Sequence, residues 1–439
     1  MKNKTFHIKS FGCQMNAYDS KRIAGMLRDH GYAEAESESA ADAIILNTCY
    51  VRSKAAEKVF SELGRINKAL ALQNRTAAIA VVGCLAKAEG ENIFRRAPYV
   101  SIVLSSQKYH RLPELLEQAL AQHSRSIDTG LSGLEKFASL PPVSRSDKSA
   151  FLQIQEGCDQ FCTYCSVPYT RGREVSRSVA DVMEEACSLN RLGALEINLV
   201  GQNVNAYDGA GEDGRRSDLA SLIRKIARLP NVRRIRYTTS YPSRMSDELI
   251  ALHAGEPKLM PLLYLPIQSG SNRILRLMNR KYTRESYLEL ISKIKAAQLA
   301  ARISSDFIVG FPGETDEDFE ETMSIAKQAG FIQSFPFKYS ARPGTPAAAM
   351  VGQIPEDIKK RRLAALQKLL RASQDEFNKS CVGRVMEVLF SEAAKDGRII
   401  GRNEYQQPVI ARAEAGIIGT IQKVKIKAGS YANLTGEIA

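Results

Sequence analysis

Cys158, Cys162 and Cys165 stand in a CxxxCxxC array on one short segment that ends at Pro168. Three thiolates on a single loop can hold three irons of a [4Fe–4S] cluster, since such clusters are bound by cysteine sulfur. The fourth iron then lacks a protein ligand, and an open metal position is what catalysis needs. Zinc is the competing occupant. A structural zinc site is normally closed by four ligands, however, and none of the five histidines lies near this loop in sequence. Inert thiols are the plainest alternative.

A second cysteine set is dispersed. Cys13, Cys49 and Cys84 lie 36 and 35 residues apart, each just after a segment that reads as a buried strand: Thr5–Ile8, Ala43–Leu46 and Ala77–Val82. Gly12 and Gly83 precede two of them and permit a tight turn or a close approach of backbone to an inorganic group. If the three strands share one sheet, the thiols converge outside its carboxyl edge and suit a second cluster, again with one open iron. The alternative is three ordinary buried cysteines, a common fate for this residue type. Cys187, on a helix with Val179, Val182, Met183 and Ala186, is expected to pack into the core, and neither it nor Cys381 receives a role.

The elements that must position these groups follow from hydrophobic periodicity. Residues 1–128 alternate short apolar runs with helical segments such as Ser20–His30 and Ser53–Asn67, the pattern of a doubly wound parallel sheet. Residues 129–148, with Pro141-Pro142 and Ser144-Arg145-Ser146-Asp147, read as a linker. Residues 149–376 repeat the alternation, with strands at Phe151–Gln155, Leu195–Val200, Ile235–Thr239, Leu262–Pro266, Arg302–Val309 and Phe335–Tyr339. Six such βα units predict a TIM-like barrel or partial barrel whose chemistry sits on the loops after the strands. Those loops carry Tyr164, Gln202, Asn203, Ser240, Gln268, Ser269 and Asp306, candidates to hold S-adenosylmethionine, which chelates an open iron through its amino and carboxylate groups. Each is singly as consistent with a turn or a helix cap. Pro355–Lys379 reads as a long basic helix, and residues 377–439 as a small all-β domain with strands at Val385–Phe390, Val409–Ala411 and Thr420–Ala428.

The 439 residues carry 61 Lys and Arg against 48 Asp and Glu, a net charge of +13 that favours a polyanionic partner over an acidic one. No apolar run reaches the roughly 18 residues of a membrane span. Met1-Lys2-Asn3-Lys4 leads straight into a strand without a signal-peptide core. Eight cysteines in so long a chain are too few for a disulfide scaffold, so a reducing, cytoplasmic setting is expected.

Phe11-Gly12-Cys13-Gln14-Met15-Asn16 together with Gly157–Cys165 resembles the radical S-adenosylmethionine methylthiotransferases. Val167–Gly172, Val175–Arg177, Gln202–Tyr207, Leu265–Gly270, Asp306–Glu314 and Ser340–Ala347 extend the likeness over essentially the whole chain. Gln14-Met15-Asn16 and the Val51–Ile66 segment are similar to the branch acting on N6-isopentenyladenosine in tRNA. Two departures are Ser178, where a proline usually follows Val175-Ser176-Arg177, and Tyr241, where a histidine often precedes the proline. The resemblance implies a methylthiotransferase N-terminal domain, a radical S-adenosylmethionine barrel and a C-terminal TRAM RNA-binding domain. It implies two [4Fe–4S] clusters, an auxiliary one at Cys13, Cys49 and Cys84 and a radical-generating one at Cys158, Cys162 and Cys165. It further implies a tRNA anticodon stem-loop as substrate, an electron donor such as a flavodoxin or ferredoxin, a donor of sulfur or cluster, and no membrane. Lys359–Arg362 and the last domain would grip the RNA backbone. The alternatives within the family act on threonylcarbamoyl-adenosine in tRNA or on a ribosomal-protein aspartate; outside it stands a non-catalytic iron–sulfur RNA-binding protein.

Overall fold

A computed structural model describes residues 4–50, 53–140, 143, 146–211, 213–394 and 396–439. Strands β1 (Thr5–Ser10), β2 (Ala33–Glu34), β3 (Ala43–Thr48), β4 (Ala78–Gly83), β5 (Ile102–Leu104) and β6 (Ser126–Asp128) form one sheet in the order β2-β1-β3-β4-β5-β6. Every neighbouring pair is parallel. Side chains alternate across it. Ile45, Ala80 and Val82 share a core with Ile23 and Leu27 of helix α1 (Gln14–Asp29). Ile44, Leu46 and Val81 share the other with Val59, Leu63 and Ile66 of helix α2 (Ser53–Leu72). Burial on both faces explains why β3 and β4 are near-continuous apolar runs. The doubly wound sheet expected from the sequence is present, with β2, β5 and β6 added: strands of two or three residues are too short to display a period.

The stretch read as a linker is structured in part. Ser132 caps a short helix, Gly133–Ala138, that drives Lys136 into the interior; Pro141, Pro142, Ser144 and Arg145 lie outside the described residues. Strands β7 (Ser149–Gln153), β8 (Glu196–Val200) and β9 (Arg234–Tyr237) then form a parallel sheet. So do β10 (Leu262–Tyr264), β11 (Arg302–Val309) and β12 (Gln333–Lys338). A bridge between Ile235 and Leu259 connects the two groups, giving a partial six-stranded barrel.

Helix α3 (Glu356–Ser380) crosses to a closed five-stranded barrel made of β13 (Val385–Ala393), β14 (Arg398–Asn403), β15 (Pro408–Arg412), β16 (Ile421–Gly429) and β17 (Leu434–Ile438). Two buried arginines of β9 dock this domain through its main chain. Arg234 donates to the carbonyl oxygens of Glu387 (2.7 Å) and Arg402 (3.1 Å), and Arg236 to those of Asn403 (2.9 Å) and Glu404 (2.8 Å). The four-residue basic run of α3 needs correction as an RNA grip. Arg362 is buried and paired with Glu314 and Asp316, both at 2.7 Å, while Lys359 lies along Gly310 and Tyr339. Only Lys360 and Arg361 face outward. Cys187 is half-buried rather than a core residue, whereas Cys381 sits in the core of the last domain.

Candidate functional site

The dispersed cysteines converge. β1, β3 and β4 are neighbours, and Cys13, Cys49 and Cys84 follow their carboxyl ends, at the point where strand order reverses between β1 and β3. Gly12 has φ +133°, and a Cβ there would overlap Cys49; Gly83 has φ +102°, and a Cβ there would collide with the Thr48 carbonyl. Only glycine lets the loops approach this closely. A hydrogen bond from the Cys49 thiol, opposed by burial and aided by the Arg171 charge, brings the Cys13 thiol down to about 6. Burial pushes the Cys84 thiol up, against an Arg171 guanidinium whose Nε donates to its Sγ at 3.3 Å. Thiolate is the metal-binding form, so the set fits a cationic iron group.

Cys158, Cys162 and Cys165 occupy the loop after β7, as their spacing predicts. The loop is fixed by main-chain bonds from Cys158 to Gly172 (3.2 Å), Thr163 to Met278 (3.1 Å) and Cys165 to Cys162 (2.9 Å). Burial pushes Cys158 and Cys165 up to about 12, and the neighbouring Cys162 adds to both. A bound multivalent cation favours the thiolate form of such buried cysteines and inverts this balance. Arg280 is the one guanidinium that hydrogen-bonds to this triad among the described residues: it donates to Cys162 Sγ at 3.5 Å and is stacked near Tyr241 and Tyr282. Among the described residues no three His, Cys, Asp or Glu side chains are grouped to hold a single metal ion.

The predicted S-adenosylmethionine residues separate by environment. Gln202 accepts from the Gly157 N–H (2.5 Å) and Asn203 donates to Glu174 (3.0 Å), which places both against the cysteine loop. Gln202 Nε2, Asn203 Oδ1 and Ser240 Oγ are buried and lack hydrogen-bond partners among the described residues, as expected of groups that serve a polar ligand. Asp306 lies in β11, on the face opposite Phe307 and the core, and so points into the barrel. Gln268 is nearby in register, its N–H donating to the Asp306 carbonyl at 3.0 Å, and its φ of +74° marks a constrained turn. Ser269 is fully buried, with its hydroxyl 3.3 Å from that of Thr322 and accepting from the Ser271 N–H, so it builds the turn. The Tyr164 ring packs with Ile274, Met278, Phe311 and Tyr339.

The two triads share the barrel mouth. Thr238, just past β9, donates to the side chain of Gln14, the neighbour of Cys13 (3.1 Å). Arg171 ends the short helix that begins at Val167, two residues after Cys165, and reaches Cys84. It also joins Asp19 (3.2 Å) and Glu156 (2.8 Å), which share Lys136 at 2.9 and 2.8 Å in a closed, buried ring of four charges. Sequence reasoning missed Arg171, Arg280, Lys136 and Glu174. Arg171 stood in a recognised motif without a role, and Arg280 in Asn279-Arg280-Lys281 looks like a solvated surface run. No local signal distinguishes a buried arginine from an exposed one.

Residues 5–105 match a family described as uncharacterized protein family UPF0004, 152–326 the radical SAM superfamily and 379–439 the TRAM domain. The chain is 50% identical over 443 aligned positions to a tRNA-2-methylthio-N(6)-dimethylallyladenosine synthase of Rickettsia canadensis (strain McKiel), covering 99% of each. It is 49% identical to the protein of that name from Rickettsia conorii, covering 99% of this chain and 100% of that one. In three dimensions it shares the fold of the radical S-adenosylmethionine methyltransferase TsrM from Kitasatospora setae, solved with cobalamin and a [4Fe-4S] cluster bound. That match has a TM-score of 0.58 at 12% identity and covers 91% of this chain and 81% of the other.

Proposed function

The chain belongs to the family of tRNA-2-methylthio-N(6)-dimethylallyladenosine synthases, and from that premise we propose that it methylthiolates carbon 2 of N6-isopentenyladenosine beside the anticodon of tRNA. The observation that supports the reading is the pair of contacts that ties the two loops: Arg171, on the short helix that follows Cys165, donates to Cys84, and Thr238 at the barrel mouth donates to Gln14 beside Cys13. Cys158, Cys162 and Cys165 would hold a [4Fe–4S] group that would supply single electrons for the cleavage of S-adenosylmethionine, and Cys13, Cys49 and Cys84 would hold a second that would present the sulfur to be transferred.

The chain's own residues bind, orient and exclude water. Gln202, Asn203 and Ser240 offer one donor and two acceptors toward S-adenosylmethionine, with Asp306 and Gln268 across the barrel. Arg280 and Arg171 offset the negative charge of the thiolates. The target base leaves its stack to reach the mouth, as for other enzymes acting on bases. The TRAM barrel, with Lys360 and Arg361, holds the phosphate backbone in a salt-dependent manner. An electron donor and a sulfur or cluster donor complete the cycle in the cytoplasm; among the described residues no helix is long and apolar enough to cross a membrane. The test is incubation of the reconstituted protein with isopentenylated and with unmodified tRNA, followed by mass spectrometry of the nucleosides. The methylthio nucleoside forms only from the isopentenylated tRNA; its absence there refutes the assignment.

A further inference from the structure

Two large aromatic side chains stand out of the surface at the CxxxCxxC loop. Phe161 is 44% and Tyr169 45% exposed, and they meet edge to face with ring centres 6.4 Å apart. Phe161 is bonded directly to the buried ligand Cys162, yet its own backbone lies at φ +47°, a left-handed conformation that a bulky residue rarely adopts. The surroundings enforce it. Asn279, itself at φ +56°, donates from Nδ2 to the carbonyl oxygens of Gln160 (3.2 Å) and Phe161 (3.0 Å), and the Thr163 hydroxyl donates to that of Leu277 (2.8 Å). Strain maintained by such a clamp marks a functional constraint. The turn that clamps the loop adds exposed apolar surface at Leu277 and exposed cations at Arg276 and Lys281, neither in an ion pair among the described residues. Arg173 is also exposed, 3.4 Å from Asp159.

Tyr169 and the Cys84-bonding Arg171 stand on opposite sides of the short helix Val167–Arg171. Tyr169 precedes Arg171 by two residues, about 200° around a helix, and Arg171 faces Cys84. Phe161 is the chain neighbour of Cys162, so this exposed surface adjoins the cysteine loop directly. We propose that it docks a small acidic protein carrying single electrons, whose surface charge complements Arg276, Lys281 and Arg173. The proposal rests on the S-adenosylmethionine-cleaving reading above. In the step it serves, the carrier is oxidised by one electron and the group held by Cys158, Cys162 and Cys165 is reduced by one, with no atom transferred.

The test uses the full-length reconstituted protein, the surface variants Y169E and R276E, and a flavodoxin as probe. Calorimetry reads flavodoxin affinity without turnover; 5′-deoxyadenosine formation is compared with flavodoxin and with dithionite, which needs no docking surface. Both variants are expected to weaken flavodoxin binding at least tenfold and to slow flavodoxin-driven cleavage equally, with dithionite-driven cleavage unchanged. Unchanged flavodoxin affinity would overturn the proposal, as would equal loss with both reductants. So would weakened binding of an anticodon stem-loop RNA with flavodoxin affinity intact, which would assign the face to RNA. Absence of dithionite-driven cleavage in the parent would refute the cleavage reading itself, and the calorimetric comparison would still decide the surface.

Discussion

At the scale of single residues, buried charge separates this site from its surroundings. Arg171 is shared by Asp19, Glu156 and the Cys84 thiol, so its removal leaves two buried carboxylates with Lys136 alone. Breaking one partner out of a buried ion network costs about 3–5 kcal/mol. R171Q is therefore expected to lower the urea midpoint of the N-terminal domain strongly, and R171K less. Ser240 makes the opposite case. Its hydroxyl is buried without a partner, so S240A is expected to leave the unfolding midpoint unchanged or slightly raised. Its loss should weaken S-adenosylmethionine binding by roughly 0.5–1.5 kcal/mol, the worth of one hydrogen bond, read by equilibrium dialysis. Ser240 could be marked in the sequence by its place after a strand, but the role of Arg171 was illegible there. The cysteines could be read because their chemistry is local and their spacing fixed, whereas a buried arginine owes its role to chain segments far away in sequence, as Arg171 does to Asp19 and Cys84.

At the scale of elements, position after a strand was the informative signal. That Cys13, Cys49 and Cys84 lie at one sheet edge was legible because strand–helix alternation orders a parallel sheet, and its carboxyl edge gathers the first residues of each connecting loop. That signal fades where an element is short or its partner remote: strands of two or three residues and the helix around Lys136 went unseen, and half of the basic run on α3 proved internal. The Gln268–Ser271 turn is held by Asp318 of the helix Asp316–Ala329, which accepts from the Ser271 hydroxyl (2.6 Å), the Thr315 N–H (2.8 Å) and Arg273. Burial opposes ionisation there, but these donors prevail and hold the carboxyl down at about 2. A depressed carboxylate stabilises fully above the unfolded carboxylate range near pH 4 and loses that contribution as pH falls toward the folded value. D318N is expected to cost about 1.5–3 kcal/mol at pH 7, the worth of hydrogen bonds to a charge. Urea titrations repeated at falling pH should show the gap from the parent narrowing between about pH 4 and 2.

At the scale of the whole molecule, a sheet edge with one triad meets a barrel mouth with the other, and a TRAM barrel is fastened by its main-chain carbonyls to Arg234 and Arg236. The R234A/R236A variant is expected to loosen that last domain, weakening tRNA binding while dithionite-driven S-adenosylmethionine cleavage continues; filter binding and 5′-deoxyadenosine assays separate the two. The division into three regions was read in the sequence from the linker-like stretch 129–148 between two strand–helix series and from the switch to a period of two in the last segment. Their mutual placement was not, because it depends on individual contacts such as Arg171–Cys84 and Thr238–Gln14. The central claim is that the triads hold separate groups with separate tasks. It is tested most directly by mass spectrometry of the products of the reconstituted C13A/C49A/C84A variant with S-adenosylmethionine, dithionite and isopentenylated tRNA. The account predicts 5′-deoxyadenosine without any methylthio nucleoside; a methylthio nucleoside from this variant would contradict it.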